Sequence, residues 1–134
     1  MNRYRNRAWR AIGAIAALAT TASIGFAAPA QARTNAQLNA YVSDGWGGGT
    51  ITSNPAGINC HTTAWDPYGG DPAPDPTGTC TASFPIGTTV HFNATADAGS
   101  YVNIPPDPNP VAIRSGYNYT GVVFCPNDGL CSAG

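Results

Sequence analysis

The chain has 134 residues and a formal charge of −1, from six basic and seven acidic side chains. Four of the basic ones, Arg3, Arg5, Arg7 and Arg10, crowd its start; the remainder carries Arg33 and Arg114 against seven aspartates, with no lysine and no glutamate, a charge of −5. Two arginines make no basic patch, so nucleic acid and anionic membrane are excluded as partners.

Behind the first arginines lies an apolar run, 11–28, in which Ile12, Ile15, Leu18, Ile24 and Phe26 stand among alanines, and soon after it comes Ala30-Gln31-Ala32. A positive start, an apolar stretch and an A-x-A site compose a cleavable signal peptide. Residues 1–32 are therefore expected to form a signal helix, cut between Ala32 and Arg33. An uncleaved anchor is the competing reading: the stretch is near the ~18-residue lower limit for crossing a bilayer, but its alanines make it weakly apolar. No second run of spanning length follows. The expected product is one secreted, extracellular domain, 33–134, free of the membrane.

That domain has few large aliphatics, so its core is thin, and small domains of this kind commonly add covalent staples. Its four cysteines, Cys60, Cys80, Cys125 and Cys131, all follow the signal. An even count in an oxidising compartment predicts disulfides. Three pairings are possible; Cys60–Cys80 with Cys125–Cys131 is the one expected. Zinc is the rival reading, but there is no C-x-x-C, and His61 and His91 lack ligand spacing.

Alternation of apolar and polar residues predicts short strands. Leu38, Ala40 and Val42 share one side of the first. Asp44-Gly45-Trp46-Gly47-Gly48-Gly49 is expected to be a turn, with 50–53 completing a hairpin. Prolines from Pro67 to Pro76 make 61–79 an exposed loop that holds no ladder. Cys80 to Phe84 extends; Val90, Phe92 and Ala94 alternate inward; Tyr101 to Ile104 extends again. A second proline-rich loop, 105–110, follows, and 111–114 and 117–124 each read as strands. The fold expected from this pattern is all-β, a small antiparallel sheet.

Several of these pieces resemble the divergent InlB-type B-repeat of bacterial secreted and surface proteins. They are Gly49-Thr50-Ile51-Thr52-Ser53-Asn54-Pro55-Ala56-Gly57-Ile58-Asn59-Cys60, then Cys80-Thr81-Ala82-Ser83-Phe84, Gly87-Thr88-Thr89-Val90-His91-Phe92-Asn93-Ala94-Thr95 and Ala98-Gly99-Ser100. Cys125-x5-Cys131 is similar to the family's later cysteine pair. The resemblance implies a non-catalytic β-grasp-like module, here in a single copy with two insertions, expected as loops over 61–79 and 103–118. The family's final strand is missing, which leaves an edge unpaired or open to the N-terminal strand.

Catalysis finds little support. His61 and His91 are the histidines; alternation turns His91 outward, and no serine has a nucleophile signature such as G-x-S-x-G. The domain is expected not to be an enzyme and to need no cofactor. Asp66, Asp71 and Asp75 share a loop and are weak calcium candidates, but their spacing is not that of a calcium loop, and aspartate is common in turns. Trp65 and Tyr68 on the proline loop, with Trp46 on the glycine-rich turn, are the binding candidates, because exposed aromatics give large contact area at small entropic cost. The expected function is a secreted, non-enzymatic interaction or cell-surface-associated module, with a protein or carbohydrate as its partner. The alternative is a small exported effector or enzyme inhibitor that uses the Cys60–Cys80 loop.

Overall fold

Strands form where apolar and polar side chains alternate. A computed structural model describes residues 33–42 and 45–131, which carry nine strands. They are β1 (Asn35–Val42), β2 (Gly49–Asn54), β3 (Asn59–Thr62), β4 (Thr77–Thr79), β5 (Thr81–Pro85), β6 (Thr89–Ala96), β7 (Ser100–Asp107), β8 (Val111–Ala112) and β9 (Asn118–Pro126). The expected signal segment, its Ala32 end and Asp44 lie outside the described residues. In β6, Val90 and Phe92 are buried while Thr89, His91 and Asn93 are exposed. A pleated strand sends successive side chains to opposite faces, and only one face of β6 meets the core.

The all-β expectation holds, and the strands divide between two sheets rather than one. The first has the order β5-β1-β9-β7, the second β4-β3-β2-β6-β8. Leu38, Ala40, Val122 and Phe124 of the first join Ile51, Cys60, Val90 and Phe92 of the second in one core. Each fully buried Leu, Ile, Val or Phe there contributes about 1.5–3 kcal/mol. Both expected bridges are present, Cys60–Cys80 with Cα atoms 4.6 Å apart and Cys125–Cys131 with 5.4 Å.

Three expectations are corrected. The β1–β2 hairpin does not form, because β1 and β2 belong to different sheets. The glycines between them serve close approach instead: a β-carbon on Gly45 would strike Phe124 O, and one on Gly47 would lie 2.6 Å from the Cys125 backbone. The 61–79 loop is narrower than expected, since His61 and Thr62 lie in β3 and pair through His61↔Thr77 with β4. Thr77, Gly78 and Thr79 have the N–H donors that the prolines lack. Likewise 103–118 is not one loop: β7 continues through Pro105 and Pro106 to Asp107, and β8 follows. Proline is tolerated there because β7 is an edge strand, with register shifts after Val102 and Ile104. Asn109 repairs the neighbourhood; its side chain accepts from Phe92 N–H and donates to Phe92 O, both at 2.9 Å.

β1 fills the place beside the last strand. It runs parallel to β9, from Leu38↔Asn118 to Val42↔Val122, and antiparallel to β5.

Candidate functional site

The site begins with Trp46. Gly45, Gly47 and Gly49 press against the end of β9, where no β-carbon fits, and Gly47 N–H donates to Phe124 O at 3.0 Å. In that docked segment Trp46 alone has a side chain to present. Its φ of 67° lies in the left-handed region, the single non-glycine case among the described residues. Such a conformation costs on the order of 1 kcal/mol and persists only where the surroundings hold it.

Trp65 is tied to it directly, its N–H donating to Trp46 O at 3.1 Å. The next residues, Asp66-Pro67-Tyr68-Gly69, make a tight turn. Proline presets the second position, Gly69 N–H donates to Asp66 O at 3.1 Å, and Asp66 Oδ1 accepts from Tyr68 N–H at 2.9 Å. The turn carries the Tyr68 ring to 6.0 Å from Trp46, edge to face at 73°. Tyr68 is 76% exposed, whereas both tryptophans are half-buried.

The three aromatics border a groove of about 540 Å³, whose far wall is Pro126, Asp128, Gly129 and Leu130. Trp65, Asp66, Pro67 and Tyr68 lie in the loop closed by Cys60–Cys80 and the far wall in the loop closed by Cys125–Cys131, while Trp46 comes from the glycine-rich segment before β2. Asn127 N–H donates to Gly99 O at 2.9 Å and anchors the far wall. Both tryptophans also border a second hollow of about 460 Å³, lined further by Val42, Thr62, Ala73 and Pro74. The structure thus brings together Trp46, Trp65 and Tyr68, which the sequence marks separately.

The calcium candidates do not converge. Among the described residues no three His, Cys, Asp or Glu side chains form a metal-holding group. Asp66 is engaged in its own turn, and prolines keep Asp71 and Asp75 on an extended, exposed stretch. His91 is exposed on β6. His61 Nδ1 lies 3.1 Å from Gly49 O, and its Nε2 is 3.7 Å from Asp97 Oδ2. Both side chains are partly open to solvent, and neither lines the tryptophan groove. The pair links β3 to the turn after β6.

Two features escape sequence reasoning. One is the wall 126–130; an exposed Leu130 inside a cysteine-closed loop is the signal that marks it. The other is a tyrosine group on the outer face of the first sheet. Tyr117 and Tyr119 stack with centroids 5.5 Å apart, and the Tyr41 and Tyr117 hydroxyls are hydrogen-bonded. That bond is the main cause holding the Tyr117 hydroxyl above its ordinary pKa, with desolvation and the neighbouring phenols adding to it. Alternation along β1 and β9 gives Tyr41 and Tyr119 their outward direction, and only the sheet order makes them neighbours.

Comparison of the chain with models of protein families, with curated proteins and with solved structures gives no match.

Proposed function

We propose that this protein is a secreted, non-enzymatic recognition module whose binding site is the groove of Trp46, Trp65 and Tyr68. The observation that carries the reading is the convergence of these three aromatics from two separate loops on one ligand-sized groove. Grooves of about 300–1,000 Å³ with aromatic lining are the common form of a binding site. The two disulfides fit an oxidising, extracellular setting. The arginine-led apolar segment with its A-x-A site is the route proposed for export, and the resemblance to the B-repeat supports a module without catalysis. The competing reading is an exported inhibitor; the exposed proline stretch of the Cys60–Cys80 loop would then enter a target enzyme's cleft.

The test uses protein recovered from culture medium, with its amino terminus expected at Arg33. Binding to the producing cells is measured by pelleting. The Trp65→Ala/Tyr68→Ala variant is expected to bind at least tenfold more weakly, while retaining the far-ultraviolet spectrum of the parent. Unchanged binding would remove the groove from consideration.

A further inference from the structure

We infer that the tryptophan groove takes a basic side chain, arginine in preference to lysine, from an extended segment of a protein partner. This rests on the recognition reading above and names its ligand class.

The lining has a one-sided chemistry. Its large surfaces are two indoles and a phenol, and the carboxylates of Asp66 and Asp128 stand on opposite walls. The groove contains no lysine, arginine, asparagine or glutamine. A carboxylate only accepts hydrogen bonds, so the side-chain donors are limited to the two indole N–H groups and the Tyr68 hydroxyl. A sugar hydroxyl both donates and accepts, and such a lining leaves most of its acceptor capacity unmet. A guanidinium only donates. It also carries the charge that aromatic faces attract, worth about 0.5–1 kcal/mol when exposed and more when desolvated. Its planar fork stacks on an indole and pairs with a carboxylate at its edge, which an ammonium does less well.

The charges agree with this. Asp66 gives one oxygen to the Tyr68 N–H, which leaves the other free, and neither Asp66 nor Asp128 has an ion-pair partner among the described residues. Arg114 lines a different hollow, beside Tyr117 and Tyr119. The stretch from Arg33 onward carries −5 in all, so the field around the groove steers basic partners toward it. The walls are also prepared in advance. The glycine docking fixes Trp46, the Asp66 turn fixes Tyr68, and the loops that carry Tyr68 and Asp128 are each closed by a disulfide, so little ordering remains when a ligand enters.

The protein from culture medium offers a direct readout. Its tryptophans are Trp46 and Trp65, Trp9 having left with the signal, so indole emission reports on the two rings that border this groove, and the aspartate variants separate it from the second hollow, which the same rings also border. The probe is the peptide acetyl-Gly-Pro-Arg-Pro-Gly-amide, compared with versions carrying lysine or the neutral citrulline in place of arginine, and with a neutral glucan hexasaccharide. A saturable change is expected with the arginine peptide, at least fivefold weaker with citrulline, and weaker again in high salt. Asp66→Asn and Asp128→Asn are each expected to weaken the arginine peptide about threefold while leaving Tm within a few degrees, because an asparagine still accepts the Tyr68 N–H. Equal binding of the citrulline peptide, saturation by the glucan without the arginine peptide, or silence toward every peptide would each overturn the inference. None of these decides the recognition reading, which stands or falls on cell binding by the Trp65→Ala/Tyr68→Ala variant.

Discussion

A β-carbon at Gly47 meets main chain, the N and C atoms of Cys125 at 2.6 Å, and that backbone is held by its pairing with Tyr101 of β7. Gly47→Ala is therefore expected to cost roughly 1–3 kcal/mol, the usual penalty of overpacking, and to shift the emission of the adjacent Trp46. Gly70 is the control, since a β-carbon there meets nothing within 4 Å and only its positive φ of 84° matters. Gly70→Ala is expected to cost less and to leave the emission unchanged. Urea titration of both variants, followed by tryptophan fluorescence, checks the difference. Equal midpoints for Gly47→Ala and the parent would mean that the segment before β2 is not pressed onto β9 as described.

At the scale of an element, β9 shows how a polar group in the interior is judged by its partners. Asn118, at its start, is buried, and its amide donates to the carbonyls of Gln37, Arg114 and Gly116 while Oδ1 accepts from Arg114 N–H. It ties β1 to the loop before β9. Two residues on, the Thr120 hydroxyl is fully buried and has no partner among the described residues. The two substitutions are expected to have opposite signs. Asn118→Ala leaves buried groups unpaired and should cost roughly 2–4 kcal/mol, whereas Thr120→Val removes an unsatisfied hydroxyl at constant shape and should be neutral or stabilising by about 1 kcal/mol. The same denaturant titration reads both. A destabilised Thr120→Val would show that its hydroxyl is satisfied in solution.

At the scale of the molecule, the disulfides close loops of different length. Loop-closure entropy gives about 3 kcal/mol for the Cys60–Cys80 separation and about 2 kcal/mol for Cys125–Cys131. Cys60 and Cys125 are both buried, but Cys60 sits in the core between the sheets. The Cys60→Ala/Cys80→Ala variant is therefore expected to lose more stability than Cys125→Ala/Cys131→Ala. The latter should keep its sheets while its tryptophan emission changes, because the far wall of the groove is freed. Far-ultraviolet circular dichroism and fluorescence followed together test this; loss of both signals at once in Cys125→Ala/Cys131→Ala would mean that the staple holds the fold and not only the groove.

Much of the local structure is legible in the order of residues. Val90 and Phe92 of β6, and Leu38 and Ala40 of β1, alternate with polar neighbours, and a period of two names the buried face of a strand whatever its partner. Cysteine usage announces the staples, and aromatics among prolines and glycines announce exposed chemistry. The same period is silent about partners. It fits β1 to a hairpin with β2 as well as to its observed place between β5 and β9, and that choice depends on how both sheets fill one core. The glycines before β2 look like a turn until β9 lies against them. The groove has the same origin: Trp46, the Trp65–Tyr68 turn and the wall 126–130 are far apart along the chain, and only the packing of the two sheets, with the latter two loops drawn closed by disulfides and the glycines docked on β9, sets them around one space.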